Sequence, residues 1–187
     1  MDASAWLARY ETRQTPWDLD GPAPALAAWF SANPVPGTPE VCVPGCGYGH
    51  DAAWLGRNGF RAVGLDLSPL AIREAQGRYG DDARFLETDF YAHAETHAGR
   101  YDWLVDHTFF CTVAEAEIPR YVQAAHALLK PGGTWWGIVW HHLEDGGPPY
   151  DRSPEGVRAA FAGPFGWLAA EPAPASPPQR RGEWVVT

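Results

Sequence analysis

The run Val43-Pro44-Gly45-Cys46-Gly47-Tyr48-Gly49-His50-Asp51 follows a short apolar stretch and opens a helix-like segment. Glycines at three alternate positions let the backbone turn sharply and bring its amides against a ligand. Asp66 closes the next apolar run, at the spacing of roughly 20 residues where a carboxylate accepts hydrogen bonds from ribose hydroxyls. The pair reads as a nucleoside-binding turn between a strand and a helix, which commits the chain to an α/β architecture.

The identity of the nucleoside turns on two further features. The dinucleotide pattern requires a glycine three residues after Gly47, but that place is His50 and the third glycine is shifted to Gly49, which weakens a nicotinamide reading. Asp66, Asp89 and Asp106 each close a strand-like run, and the ends of parallel strands line one crevice. A ribose, an adenine amino group and a cationic amino-acid tail would each find an acceptor there, and S-adenosylmethionine carries all three. A strand-end or helix-cap role is the alternative for each aspartate taken singly; three behind one glycine turn favour a shared ligand.

A length of 187 residues suits one domain spanning 1–187, with enough core to need neither disulfides nor metals. The formal charge of -9 argues against a nucleic-acid or acidic-membrane partner and points to a small-molecule acceptor. Cys42, Cys46 and Cys111 make no CxxC pair and are too few for a disulfide framework. That cysteine usage suits a reducing cytoplasm, the expected location; the sequence shows neither a basic-then-apolar leader nor an apolar run near the roughly 20 residues of a bilayer span. Oligomeric state leaves no signature.

Strand and helix signals alternate. Strand-like Val41-Cys42-Val43 leads into a helix at 51–58 and a strand at 61–67, and Ser68-Pro69 opens the next helix with an N-cap and a first-turn proline. A strand at 83–90 follows, then a polar stretch at 91–100 compatible with a short helix or a loop, then a strand at 101–109. Residues 115–129 carry Ile118, Tyr121, Val122, Ala125, Leu128 and Leu129 at helical spacing, stopped by Lys130-Pro131-Gly132-Gly133. A tryptophan-dense strand is expected at 134–142, a helix at 153–162, strands at 166–171 and 183–186, and a proline-rich linker at 172–178. This alternation implies a parallel sheet with helices on both faces.

Ahead of the first strand, Trp6 and Tyr10 share a face if the segment is helical, and Pro16-Trp17-Asp18 ends it. These rings have two possible uses. They pack on the core as an ordinary amphipathic helix, or they form a lid, residues 1–20, whose faces cover a sulfonium and keep water out.

In these segments the chain resembles the S-adenosylmethionine-dependent methyltransferases of the thiopurine S-methyltransferase superfamily, and most of all the plant thiol and halide (thiocyanate) methyltransferases. The likeness runs through Trp6, Tyr10 and Pro16-Trp17-Asp18, the glycine turn, Val63-Gly64-Leu65-Asp66, Asp106-His107-Thr108-Phe109-Phe110-Cys111, Leu128-Leu129-Lys130-Pro131-Gly132-Gly133 and Gly146-Gly147-Pro148-Pro149-Tyr150. The glycine and lysine-proline-glycine turns are general to the fold, whereas the other segments are more particular. The resemblance implies a Rossmann-like class I fold: a seven-stranded, mostly parallel sheet with an antiparallel last strand and helices on both faces. It also implies cofactor contacts from Trp6, Tyr10, Trp17, Gly45, Asp66, Asp89, Phe90 and His107. Tyr10 stands where the plant enzymes usually carry a second tryptophan, His107 replaces a common tyrosine, and residues 143–187 form a trimmed, proline-rich C-terminal part.

Methyl transfer from a sulfonium to a soft anion neutralises charge in an in-line displacement, so a dry, aligning pocket supplies most of the acceleration. Halides, thiocyanate and hydrosulfide need no base, while a thiol with a pKa of about 8.5 gains from one. His107, His141 and His142 are candidates for that base, with roles as satisfied loop or core residues as the alternative; no catalytic residue is assigned. Cys46 and Cys111 read as small packers rather than nucleophiles. His93 and His97 lack a third ligand, so no metal site is expected. An NAD-dependent oxidoreductase and a non-catalytic cofactor-binding protein remain as rivals.

Overall fold

The computed structural model describes residues 3–142, 146–166, 169–174 and 182–187. The elements run α1 (Ala3–Glu11), α2 (Pro24–Ala32), β1 (Glu40–Pro44), α3 (His50–Arg57), β2 (Arg61–Asp66), α4 (Pro69–Tyr79), β3 (Arg84–Glu87), α5 (Phe90–Thr96), β4 (Tyr101–His107), α6 (Ile118–Leu128), β5 (Leu129–Trp140), α7 (Pro154–Phe161), β6 (Ala170–Pro172) and β7 (Glu183–Val186), with short 3-10 turns at Phe110–Thr112 and Glu115–Glu117. They build a 7-stranded sheet in the order β3-β2-β1-β4-β5-β7-β6. β1 to β5 pair in parallel, and β7 runs antiparallel to both β5 and β6. This is the mostly parallel sheet with an antiparallel last strand that the resemblance implies.

Period-2 alternation sends successive strand residues to opposite faces. Val41, Val43, Val105, Trp136 and Ile138 join one apolar layer with residues of α2, α3 and α4. Cys42, Leu104, Trp135 and Val139 join the other, with α5, α6 and α7. The tryptophan density of β5 thereby feeds both cores: Trp135 and Trp136 are adjacent in sequence, each fully buried, on opposite sides of the sheet. Neither layer draws a side chain from α1 among the described residues.

Local signals act where the residue types require. Ser68 Oγ accepts from the Ala71 amide at 3.2 Å and caps α4 behind Pro69. In α6 the side chains of Ile118, Tyr121, Val122, Ala125 and Leu128 are buried, the spacing of one helical face, while Leu129 turns over into β5. The strand expected at 83–90 is shorter, because Asp89 Oδ1 accepts from the amides of Tyr91 and Ala92 at 2.9 and 3.0 Å and starts α5 at Phe90. That cap resolves the polar stretch that follows as helix. The strands expected at 101–109 and 134–142 end at His107 and Trp140. Of the strand expected at 166–171, residues 167–168 lie outside the described residues and β6 occupies Ala170–Pro172; positions 175–178 of the proline-rich linker also lie outside them.

Helix α2 has no counterpart in the sequence reading. Its N-terminus is marked by Pro24 at a first-turn position, and it lays Leu26 and Phe30 on the sheet. Phe30 meets Phe60, Trp103 and Trp136 with ring centroids 5.3 to 5.5 Å apart, contacts worth about 0.5–1.5 kcal/mol each beyond area burial.

Candidate active site

The site begins at the glycine turn. Gly45, Gly47 and Gly49 have φ of 57°, 54° and 86°, a left-handed region that costs other residues roughly 1–2 kcal/mol. A Cβ on Gly45 would also stand 2.7 Å from Phe109 Cδ2, so this turn is closed to side chains by its neighbour as well as its backbone. The Cys46 amide donates to Leu65 O at 2.8 Å and anchors the turn to the end of β2.

Asp66 completes that anchor. Its Oδ2 accepts from the Gly47 amide at 2.9 Å and from the Tyr10 hydroxyl at 3.4 Å, and Oδ1 accepts from the Ser68 amide at 2.8 Å. Burial pushes this carboxyl above its ordinary range, and those donors offset only part of the rise. A carboxylate offers about four lone-pair sites, so capacity for a further donor remains. Leu67, beside it, is the exposed large hydrophobic side chain among the described residues, and it faces the same cavity.

That cavity, of about 360 Å³, lies at the carboxyl ends of the parallel strands. Trp6, Tyr10, Trp17, Gly45, Asp66, Asp89, Phe90 and His107 all line it, so the eight residues singled out from the sequence converge on one space. The sheet order sets out its length. Asp66 and Asp89 stand at the β2–β3 flank, Gly45 and His107 at the centre, and Ile138, Trp140 and Glu183 at the β5–β7 flank.

The N-terminal rings form one wall. Trp17 meets Trp6 edge-on at 5.3 Å and Tyr10 at 5.8 Å, and Tyr10 meets Tyr48 at 5.4 Å. Burial raises the Tyr10 phenol, and the Asp66 charge beside it adds to that, so its proton stays on. With α1 absent from both core layers, these rings serve the cavity more than the core.

Asp106 departs from the sequence reading. It does not line the cavity; Oδ1 accepts from the amides of Phe110 at 2.9 Å and Phe109 at 3.3 Å, and Oδ2 from the Tyr121 hydroxyl at 2.6 Å. Trp135 Nε1 donates to that hydroxyl at 3.0 Å. Asp106 is a buried support for the 3-10 turn after β4, so of the three aspartates only Asp66, at the end of β2, and Asp89, at the N-cap of α5, line the cavity.

Of the three histidines proposed as bases, His107 alone lines the cavity, and its Nδ1 pairs with Asp51. His141 Nδ1 and the His142 amide both bind Asp151, at 2.9 and 2.8 Å. Burial raises the Cys46 thiol well above its ordinary range, which keeps it protonated and unreactive. His93 and His97 stack at 3.9 Å, with His93 Nε2 2.8 Å from the Tyr101 hydroxyl. Two residues missed in the sequence are Asp51, a partner legible only in space, and Glu183, a carboxylate whose strand lies far along the chain.

The family model for thiopurine S-methyltransferase matches residues 1–187. Probable thiol methyltransferase 2 of Arabidopsis thaliana is 32% identical over 157 residues, covering 81% of this chain and 68% of that protein. Thiocyanate methyltransferase 1 of the same plant is 27% identical over 191 residues, covering 98% of this chain and 82% of that protein. In structure, the chain is similar to the Burkholderia thailandensis 1,6-didemethyltoxoflavin-N1-methyltransferase with bound S-adenosylhomocysteine, at a TM-score of 0.75 and 20% identity over 98% of this chain and 84% of that one.

Proposed function

The chain belongs to the thiopurine S-methyltransferase family of S-adenosylmethionine-dependent methyltransferases, and from that premise we propose that it methylates a small, soft nucleophile of the thiol, hydrosulfide, thiocyanate or halide class. The cavity fits the cofactor: a glycine cradle with no room for a Cβ, two carboxylates on one flank, and an aromatic wall. We assign Asp66 to the ribose hydroxyls, Asp89 and Phe90 to the adenine end, Gly45 and His107 to the amino-acid end, and Trp6, Tyr10 and Trp17 to the cover over the sulfonium.

Bound there, S-adenosylmethionine supplies an electrophilic methyl group on a sulfonium. The chain contributes alignment and dryness. Gly45 brings backbone close to the ligand, and the rings of α1 and Trp17 exclude water while their faces tolerate positive charge. His107, its Nδ1 held by Asp51, is placed to take a proton from a thiol.

The observation that carries the acceptor class is the wall beyond Gly45 and His107, where Phe109, Ile138, Trp140, Pro148 and Pro149 present apolar surface suited to a polarisable acceptor. The names of the relatives support it. A cytoplasmic setting accords with three free cysteines. Turnover with S-adenosylmethionine against thiols, hydrosulfide, thiocyanate, iodide, a catechol and a primary amine tests the assignment. Thiols or soft anions should react fastest; faster methylation of the catechol or the amine overturns the acceptor class.

A further inference from the structure

Helix α1 places a cation in the cavity wall. Trp6, Arg9 and Tyr10 stand at the i, i+3 and i+4 positions of one helical face, and all three line the cavity. Arg9 is half-buried there, and its guanidinium lies over the Trp17 ring, 5.9 Å from the centroid. Among the described residues no carboxylate comes within 4.0 Å of it, whereas Arg13, four residues on, meets Glu74 at 3.9 Å. The carboxylates that share the lining are Asp66, Asp89 and Glu183. Asp66 accepts from the Gly47 and Ser68 amides and from Tyr10, Asp89 caps α5, and Glu183 belongs to the β5–β7 flank.

We propose that Arg9 is an acceptor-recognition residue and that it favours a thiol bearing a carboxylate. The inference rests on the methyl-transfer reading of the cavity. A guanidinium presents parallel N–H donors that match the two oxygens of a carboxylate, so such an acceptor gains more from it than a spherical halide or a neutral thiol. The other acidic and basic side chains of the lining are three carboxylates and His107, so Arg9 is where an acceptor carboxylate meets a fixed positive charge. Because Arg9 has no ion pair in the free protein, binding at it breaks none. The donor's amino-acid end has its own place: Gly45 and His107, assigned to it above, also line a smaller cavity with Gly47 and Asp51, and Arg9 is not part of that lining.

In the reaction, the acceptor sulfur forms a bond to the methyl carbon as the bond from that carbon to the donor sulfonium breaks. The electron pair of the broken bond stays on the donor sulfur, which becomes a neutral thioether. The thiol proton passes to His107 or to solvent, and the carboxylate on the acceptor keeps its charge throughout.

The test compares 3-mercaptopropionate, ethanethiol and iodide with the full-length protein and its Arg9→Gln and Arg9→Lys variants, each checked for its thermal midpoint and its affinity for S-adenosylhomocysteine. Turnover is measured with S-adenosylmethionine, and calorimetric binding of the two thiols is measured on protein saturated with S-adenosylhomocysteine. Arg9→Gln should lower the ratio of kcat/KM for 3-mercaptopropionate over ethanethiol about tenfold, through KM more than kcat, a value between those of an exposed ion pair and a buried charged hydrogen bond. Taking each thiol relative to wild type cancels its intrinsic reactivity. Arg9→Lys, which keeps the charge but not the fork, should restore part of the ratio, and iodide should lose less than 3-mercaptopropionate. An unchanged ratio in Arg9→Gln overturns the proposal, whether the thermal midpoint falls, as for a cation that only serves the C-terminal end of α1, or the affinity for S-adenosylhomocysteine falls, as for a contact to the donor. Arg9-dependent binding of 3-mercaptopropionate without methylation of any thiol or halide supports the recognition site and overturns the methyl-acceptor assignment instead.

Discussion

The Nδ1 of His107 lies 2.7 Å from Oδ2 of Asp51, which ties the end of β4 to the first turn of α3 beside the glycine turn. The two side chains are 9% and 13% exposed, and Asp51 Oδ1 accepts from the Ala23 amide at 2.7 Å, so the carboxylate is itself held in place. Burial would push Asp51 up, but His107 and the Ala23 amide outweigh it and hold this carboxyl below its ordinary range. This contact commits Nδ1 to a carboxylate, so the proton-accepting role proposed for His107 would require Nε2.

Asp51→Asn should therefore lower kcat/KM for a thiol by about 10- to 100-fold, because an amide cannot balance the charge of an imidazolium. Iodide has no proton to lose and should change far less. Measurement of both acceptors across pH 6 to about 9, a span bracketing the usual histidine and thiol values, separates the roles. An equal loss for thiol and iodide would show that Asp51 acts only through packing.

Asp66→Ala should weaken S-adenosylmethionine and S-adenosylhomocysteine binding by roughly 1.5–3 kcal/mol, the worth of hydrogen bonds to a charged group. It also strips a partner from the Gly47 and Ser68 amides and from Tyr10, so a lower thermal midpoint accompanies the loss. Titration calorimetry reads the affinity, with NAD as the control that should not bind. Unchanged affinity for the methyl donor removes Asp66 from the ribose.

Removal of residues 1–17 should leave a cooperatively folding sheet with poor methyl transfer, because both apolar layers are complete without α1. Thermal melting and turnover decide it. A truncated protein that fails to fold would mean that Tyr10, 4% exposed and bonded to Asp66, is a core residue first.

Asp106 should make stability fall as pH rises. Burial pushes its carboxyl up to about 6, against hydrogen bonds from the Phe110 amide, the Tyr121 hydroxyl and the Phe109 amide. An acid with a raised folded value holds its proton in the native state while the unfolded chain has released it. Its stabilisation is present below about pH 4 and is lost as pH climbs through about 6. From the ordinary carboxyl value of 3.8, the swing is on the order of 3 kcal/mol at 1.36 kcal/mol per pH unit. Urea unfolding between those pH values should show the decline, and Asp106→Asn, close in shape to the protonated acid, should flatten it. A slope unchanged in that variant would assign the decline to other groups.

Where a property depends on contiguous residues, the sequence was enough. The alternate glycines at 45, 47 and 49, the Ser68-Pro69 helix start, the spacing of Tyr121, Val122 and Ala125 and the alternation through β5 act within a few residues, where φ limits and side-chain periodicity apply directly. They led to a parallel sheet with helices on both faces, while the count of seven strands and the eight residues that line one cavity came through the family resemblance that these segments carry. Asp66 was legible for the same reason, since a βα turn and the end of the next strand are neighbours in any parallel βαβ unit.

The tertiary structure decided the rest, because a strand-end carboxylate has no intrinsic direction. Asp66 and Asp106 follow equally apolar runs, yet Tyr121 and the Phe109–Phe110 amides draw Asp106 inward while Asp66 stays in the cavity wall. Asp51 and His107 are 56 positions apart and meet only because β4 lies beside β1. Glu183 reaches the cavity wall only because β7 enters between β5 and β6 with its direction reversed. Strand order and strand direction are set by which apolar faces bury one another across the whole chain, and no local window of residues encodes that choice.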